Sequence, residues 1–312
     1  MKFIAKKIGT LFLTLLIISF LSFLAFSLIP GDAALSSLGV DGDKEAVEAL
    51  REELGLNRPI PVQYGDWLFS ALQGDFGEST QYHLPVKELV AQRLPVTITL
   101  AIYAMFFVIL VSFPSGLFSA RKPEGILDTM IMVVSQLGMA IPQFFLGILL
   151  TFVFGIVLSL FPVGGYVSYK EDLVGFLSFL ILPAIAVAVP KASMMTRYIR
   201  NTVVAQMKLD YVRTARGKGN SEKRILVHHV LKNAMLPVVT MLAMMIADVM
   251  AGSIVVEQVF NIPGLGRLLI TSIANRDYPV VQAIVLYMAC VVVIMNTLAD
   301  MLYQKLDPRI QR

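Results

Sequence analysis

Charge is what this sequence has least of. Asp, Glu, Lys and Arg make up 15% of its 312 residues, where soluble domains carry about 25%. The chain is therefore not shaped to be wetted on all sides. Cysteine is nearly absent as well. The single Cys290 excludes an internal disulfide and a thiolate metal cluster, and its apolar surroundings suit a small buried hydrophobe. Three histidines do not make a zinc site: His228 and His229 are neighbours that a helix points about 100° apart, and His83 lies far off in the sequence. A phosphate-binding loop is also missing, because the Gly217-Lys218 pair is followed by Gly219 rather than by serine or threonine. Neither H-E-x-x-H nor G-x-S-x-G occurs. These absences leave no catalytic residues, no metal ligands and no nucleotide site, and they point away from an enzyme. The net charge of +4 is not distributed as a nucleic-acid-binding face requires.

What the sequence has instead is apolar length, with 56% hydrophobic residues. Residues 8–29 contain no charge, and as a helix they reach about 33 Å, enough to cross a bilayer. No small-x-small site follows them, so they read as an uncleaved first transmembrane helix. Further spans are expected at 95–118, 130–160, 174–195, 237–256 and 280–302. The third exceeds one span and holds Gly138 and Pro142, so its start should be a separate or kinked piece. The fourth holds Pro183 and Pro190, which membrane helices tolerate when neighbours satisfy the freed carbonyls. The fold class is thus all-α, a polytopic membrane protein of about six transmembrane helices.

Lysine and arginine set the orientation. With the N-terminus in the cytoplasm, 18 of the 26 basic residues fall on the inner side and 8 on the outer. Lys191, Arg197 and Arg200 are counted inside. Both termini and the basic stretch at 210–237 are then cytoplasmic. The chain divides into a first transmembrane helix (1–30), an external loop (31–94) and a core of five transmembrane helices (95–312). This core carries a cytoplasmic loop at 197–236 and an external segment at 256–279. In the external loop, residues 43–55 have the spacing of an amphipathic helix, with Asp43 as N-cap and Gly55 ending it. In the external segment, Pro263, Gly264 and Gly266 mark a turn before a short helix. Its "GLG" lacks the third glycine and the strand–helix context of a dinucleotide loop.

The stretch "DYVRTARGKGNSEKRILVHHVLKNAMLP" (210–237) is the most polar part of the second half. Leu209, Val212 and Ala215 fall on one face of a helix that Gly217 and Gly219 interrupt. Ser221 then caps a second helix, with Glu222 in its first turn and Arg224 beyond, running to Pro237 at the start of the next span. Two readings stand. The helix–turn–helix is a rigid knob for a partner's groove, or its charges bind anionic lipid heads and enforce topology.

Asp248 lies near the middle of the fifth span, where a carboxylate is costly and marks function by default. It could line a pathway for a cationic or amino-terminal group, make a structural hydrogen bond, or couple transport to protons. The last supports an ion-gradient-coupled secondary transporter, although the two halves show no inverted repeat. Asp300, near the inner end of the last span, reads as interfacial. The Met194, Met195, Met241, Met244, Met245 and Met250 cluster reads as packing.

The basic stretch resembles the cytoplasmic "EAA" loop of binding-protein-dependent ABC importer permeases. Arg213, Thr214 and Ala215 occupy the E-A-A positions, Ala215 alone being literal, and Gly219 stands at the motif glycine. "LGLNRPIPVQY" (54–64), "GDFGES" (74–79), "FNIPGLGRL" (260–268), "RDYPVVQ" (276–282) and "LDPRI" (306–310) resemble the first permease subunit of the dipeptide/oligopeptide/nickel branch. The resemblance implies a type I importer permease in a bacterial plasma (inner) membrane, forming half of a translocation pathway for di- or oligopeptides. Chelated nickel or another small solute is the alternative cargo. It implies a homologous second permease subunit, two ATP-binding subunits that alone use ATP and magnesium, and an external substrate-binding protein. It makes Arg213, Thr214, Ala215, Gly217, Gly219, Ser221, Glu222 and Arg224 the residues that couple to the ATPase.

Overall fold

The computed structural model describes residues 2–28, 48 and 57–306. The helix read at 43–55 and the motif at 306–310 lie outside the described residues apart from Glu48 and Leu306. The described residues form helices joined by turns and loops, with no β-strand among them. In chain order the helices are α1 (Lys2–Leu28), α2 (Ile60–Leu72), α3 (Val86–Arg121), α4 (Ile126–Ala140), α5 (Gln143–Leu150), α6 (Leu173–Met207), α7 (Asp210–Gly217), α8 (Glu222–Arg224), α9 (Leu231–Val259), α10 (Leu265–Ala274) and α11 (Tyr278–Leu306). Wider π-helical turns prolong α5 over Thr151–Val157 and join α8 to α9 over Ile225–Val230.

Five of these helical runs are long and apolar enough to cross a membrane: Lys7–Ser27, Val86–Arg121, Leu173–Met207, Glu222–Val259 and Tyr278–Met301. A pair, Ile126–Ala140 and Gln143–Val157, bent by 100°, is apolar enough to make a sixth as one broken span. The bend sits at Ile141, whose ψ of 122° is extended, because the ring of Pro142 disfavours a helical residue before it. Gly138 does not break the chain. It lies inside α4, and a Cβ there would fall 2.2 Å from Oγ of Ser193, so its role is close packing of α4 on α6. Exposed apolar side chains such as Phe12, Leu21, Phe106, Met130 and Phe152 are those of helices that meet lipid rather than water.

The chain forms two compact units. The first comprises residues 1–95 and 263–294. Within it α2 lies along α1, where Tyr64 shares a 2.7 Å hydrogen bond with Ser19 and its ring meets Phe20, Phe23 and Trp67. Its core is Val86 and Leu89 against Leu265, Leu268, Val280, Ala283 and Ile284. The buried Asp277 fixes the preceding loop by accepting hydrogen bonds from the Ser79 hydroxyl and from Thr80 N at 3.2 Å. The turn expected at Pro263 and Gly264 is present, with Gly264 as the N-cap of α10.

The second unit comprises residues 96–262 and 295–312. Helix α6 is its hub, packed against α4, α5 and α9. Small residues on α6, the buried Ala184, Ala186, Ala188 and Ala192, allow that close approach. Pro183 and Pro190 sit inside α6 without ending it. Consequently α6 runs on to Met207, and Lys191, counted with the cytoplasmic residues above, is instead a mid-helix residue. Pro237 likewise lies inside α9 rather than at its start, and Glu222–Val259 is one helical run of 38 residues.

Candidate functional site

The polar stretch after α6 folds as a hairpin of two helices. Lys208 closes α6, Leu209 is extended as the N-cap of α7, and α7 presents Val212 and Ala215 inward. Leu209 does not share that buried face: it is exposed, because it precedes the first helical turn. The apolar face of α7 packs on the π-helical turn of residues 225–230, where Ile225 and Val230 are fully buried. Arg213, Thr214, Lys218, Lys223 and Arg224 all face outward.

The turn between the helices is built from four residues. Gly217 is the last residue of α7 and has an ordinary helical backbone. Lys218 N donates to Thr214 O at 3.1 Å and Gly219 N to Arg216 O at 3.0 Å, finishing the helix. Gly219 has φ of +77°, the left-handed conformation in which a Cβ costs about 1–2 kcal/mol. Asn220 Nδ2 donates back to Ala215 O at 3.0 Å. Ser221 then caps α8 as its sequence position suggests, its hydroxyl accepting from Arg224 N at 3.4 Å. Across the turn, Arg216 grips Glu222 with two hydrogen bonds, at 2.5 Å and 3.0 Å. The bonded carboxylate pushes the Arg216 guanidinium further above its ordinary value. Planar two-point contacts of this kind fix geometry as well as charge.

Asp248 is not alone. Its Oδ2 accepts a 2.8 Å hydrogen bond from Nζ of Lys191, so α6 and α9 meet in an ion pair. The Lys191 side chain is 18% exposed and that of Asp248 is 67% exposed. Both are internal to membrane-spanning helices, Lys191 being about 27 Å along α6. Sequence reasoning missed Lys191. The expected fourth span, 174–195, already contains Lys191, yet the lysine was counted with the inner basic residues, and only the structure pairs it with Asp248.

A second ion pair went unread in the sequence altogether. Asp128 at the start of α4 accepts from Nε (3.2 Å) and Nη2 (2.6 Å) of Arg200 on α6. It also accepts from Glu124 N at 2.8 Å and from the Ser119 hydroxyl. Four donors satisfy this buried carboxylate and tie the α3–α4 turn to α6. Nothing local marks it, since its partner is 72 residues away.

The helical hairpin and the bent third span sit in a chain that matches known proteins over its whole length. The family described as "Binding-protein-dependent transport system inner membrane component" matches residues 112–312, and the corresponding N-terminal family matches residues 1–101. The chain belongs to this family. It is a multi-pass membrane permease component of a binding-protein-dependent transporter, and it works as part of a complex with other components. It is 40% identical over 300 residues to the oligopeptide transport system permease protein AppB of Bacillus subtilis, covering 95% of each chain. It is 38% identical over 311 residues to the glutathione transport system permease protein GsiC of Salmonella typhimurium, covering 100% of this chain and 99% of that one.

Proposed function

We propose that this chain imports short peptides as one half of an ATP-driven translocation pathway, and that the hairpin at 208–231 is where the motor engages it. The other half of the pathway is a homologous permease subunit. Two ATP-binding subunits hydrolyse ATP on the cytoplasmic side, and an external substrate-binding protein delivers cargo to the outer one. The proposed location is the bacterial plasma membrane. Taking Lys191 out of the inner count leaves the excess of inner lysine and arginine intact, which supports cytoplasmic termini and a cytoplasmic hairpin. Peptide cargo is favoured by the likeness to AppB and GsiC, an oligopeptide and a glutathione permease, glutathione itself being a small peptide.

The hairpin carries the mechanical part of the reading. Its second helix is continuous with α9, and its first follows α6 after two residues. A push on the turn therefore reaches two membrane helices without an intervening flexible link, which suits rigid-body switching between outward and inward access. Arg213, Thr214, Lys218, Lys223 and Arg224 offer the contact surface, while Ala215, Gly219, Ser221 and the Arg216–Glu222 grip hold its shape.

Affinity purification from native membranes in mild detergent tests this. ATP-binding subunits and a second permease should co-purify. Both ATP-binding subunits should be lost when residues 213–224 are scrambled in a chain that still inserts. Recovery of the chain alone, even after crosslinking, would contradict the motor-coupled reading.

A further inference from the structure

The Lys191–Asp248 pair is placed as a structural strut would not be. A strut is sealed, as Asp128 is at 3% exposure with four donors around it. Asp248 is 67% exposed and, among the described residues, makes one contact through one oxygen. A carboxylate so open cannot face hydrocarbon, where a central charge costs about 2.5–3.5 kcal/mol even on the most lenient scale. The face that bears it is therefore met by water, by polar cargo or by a polar group of the second permease subunit across the pathway. The same face is otherwise apolar and adaptable. Met244 lies one turn before Asp248 and Met194 one turn after Lys191, and both side chains are exposed. Methionine accommodates ligands of varied shape.

We infer that Lys191 and Asp248 form a two-ended cargo site within the pathway, Asp248 taking the ammonium end and Lys191 the carboxylate end of a short zwitterionic peptide. This rests on the importer reading above. With the pathway empty, the two side chains neutralise each other and neither charge is left alone in the membrane. The ends of an extended tripeptide lie up to about 10 Å apart, so the 2.8 Å pair must open as cargo enters. Each side chain then exchanges one charged partner for another. The exchange costs little in charge pairing, and Met194 and Met244 contact the intervening side chains without selecting among them. The site thus reads the two ends that all linear peptides share.

The test uses the complete transporter in proteoliposomes, with trialanine and the binding protein supplied outside. In the double variant Lys191→Met/Asp248→Asn no buried charge is left unpaired. A purely structural pair should therefore tolerate it, while a cargo site should not. We expect trialanine uptake to fall about tenfold or more, the loss of charged hydrogen bonds to the cargo, with the complex recovered in normal yield. Uptake within about twofold of the wild type, a change worth under 1 kcal/mol, would overturn the site. A second measurement covers a double variant that fails to assemble. Asp248→Cys, in a chain carrying Cys290→Ser, should react with a water-soluble cationic thiosulfonate, and trialanine should slow the reaction during turnover. A thiol that does not react, or one that trialanine leaves unprotected, would also overturn it. Absence of ATP-driven trialanine uptake by the wild type would instead contradict the importer reading, and this inference with it.

Discussion

Two ion pairs join α6 to its neighbours, and they differ in nearly every respect that matters. Asp128–Arg200 is a closed assembly: the carboxylate is buried, two nitrogens of one guanidinium hold it, and a backbone amide and a hydroxyl complete it. Lys191–Asp248 is open, a single contact between a flexible ammonium and an exposed carboxylate. Arginine suits the first because its planar fork is preorganised, and lysine suits the second because it can swing to another acceptor. The difference separates a group that holds the fold from a group free to change partners. Lys191 and Arg200 lie on the same helix, so the rigid hub of the second unit carries both the closed pair and the open one.

The comparison breaks most violently at the closed pair. Arg200→Ala strands a buried carboxylate, a loss of about 3–5 kcal/mol, and should lower the thermal midpoint and yield of the purified protein. An unchanged midpoint would mean that the clamp is idle. At the open pair the order of effects reverses. The double variant Lys191→Met/Asp248→Asn, which strands neither charge, should leave the thermal midpoint near that of the wild type, yet reduce peptide uptake about tenfold or more, the value of a charged hydrogen bond to the cargo. If uptake and its pH dependence stay the same, the carboxylate has no part in transport. The hairpin gives smaller and more local effects. Ser221→Ala removes the cap of α8, worth about 1 kcal/mol, and should speed hydrogen exchange at the Arg224 amide without unfolding the bundle. The smallest change belongs to Gly217→Ala. Its backbone is helical and a Cβ would meet nothing within 4 Å, so alanine should be neutral or stabilising by up to about 1 kcal/mol. A loss of function there would show that a partner approaches this backbone closely.

Much of the architecture was legible because hydropathy and turn chemistry are local signals. The runs of uncharged residues marked the spans, Pro142 marked the break in the third, and Ser221 with Glu222 marked the start of α8. Proline misled where tertiary packing overrode it. Pro237 suggested a boundary, but α9 passes through it as α6 passes through Pro183 and Pro190, since a packed bundle can satisfy the carbonyls that proline frees. Lys191 was counted with the inner basic residues although the span at 174–195 contained it, because a count of charges does not show a partner such as Asp248. Gly138 read as a breaker because a sequence does not show that Ser193 will approach within contact distance. The two glycines of the hairpin looked equivalent, yet Gly219 alone has positive φ, a distinction set by which residue follows the last turn of α7. The Asp128–Arg200 pair was illegible in principle: it joins residues 72 apart, and neither has a local pattern that names the other.

The most direct test of the coupling claim is ATP-driven trialanine uptake by complete transporters carrying Gly219→Val or Gly219→Asn. No side chain crowds this position, so only the backbone conformation distinguishes the two replacements. Asparagine tolerates positive φ and a β-branched residue does not. The account predicts that Gly219→Val inserts and folds its membrane helices but loses uptake, while Gly219→Asn retains most of it. Equal and undiminished uptake by both variants would contradict the claim that this turn transmits the motor's movement.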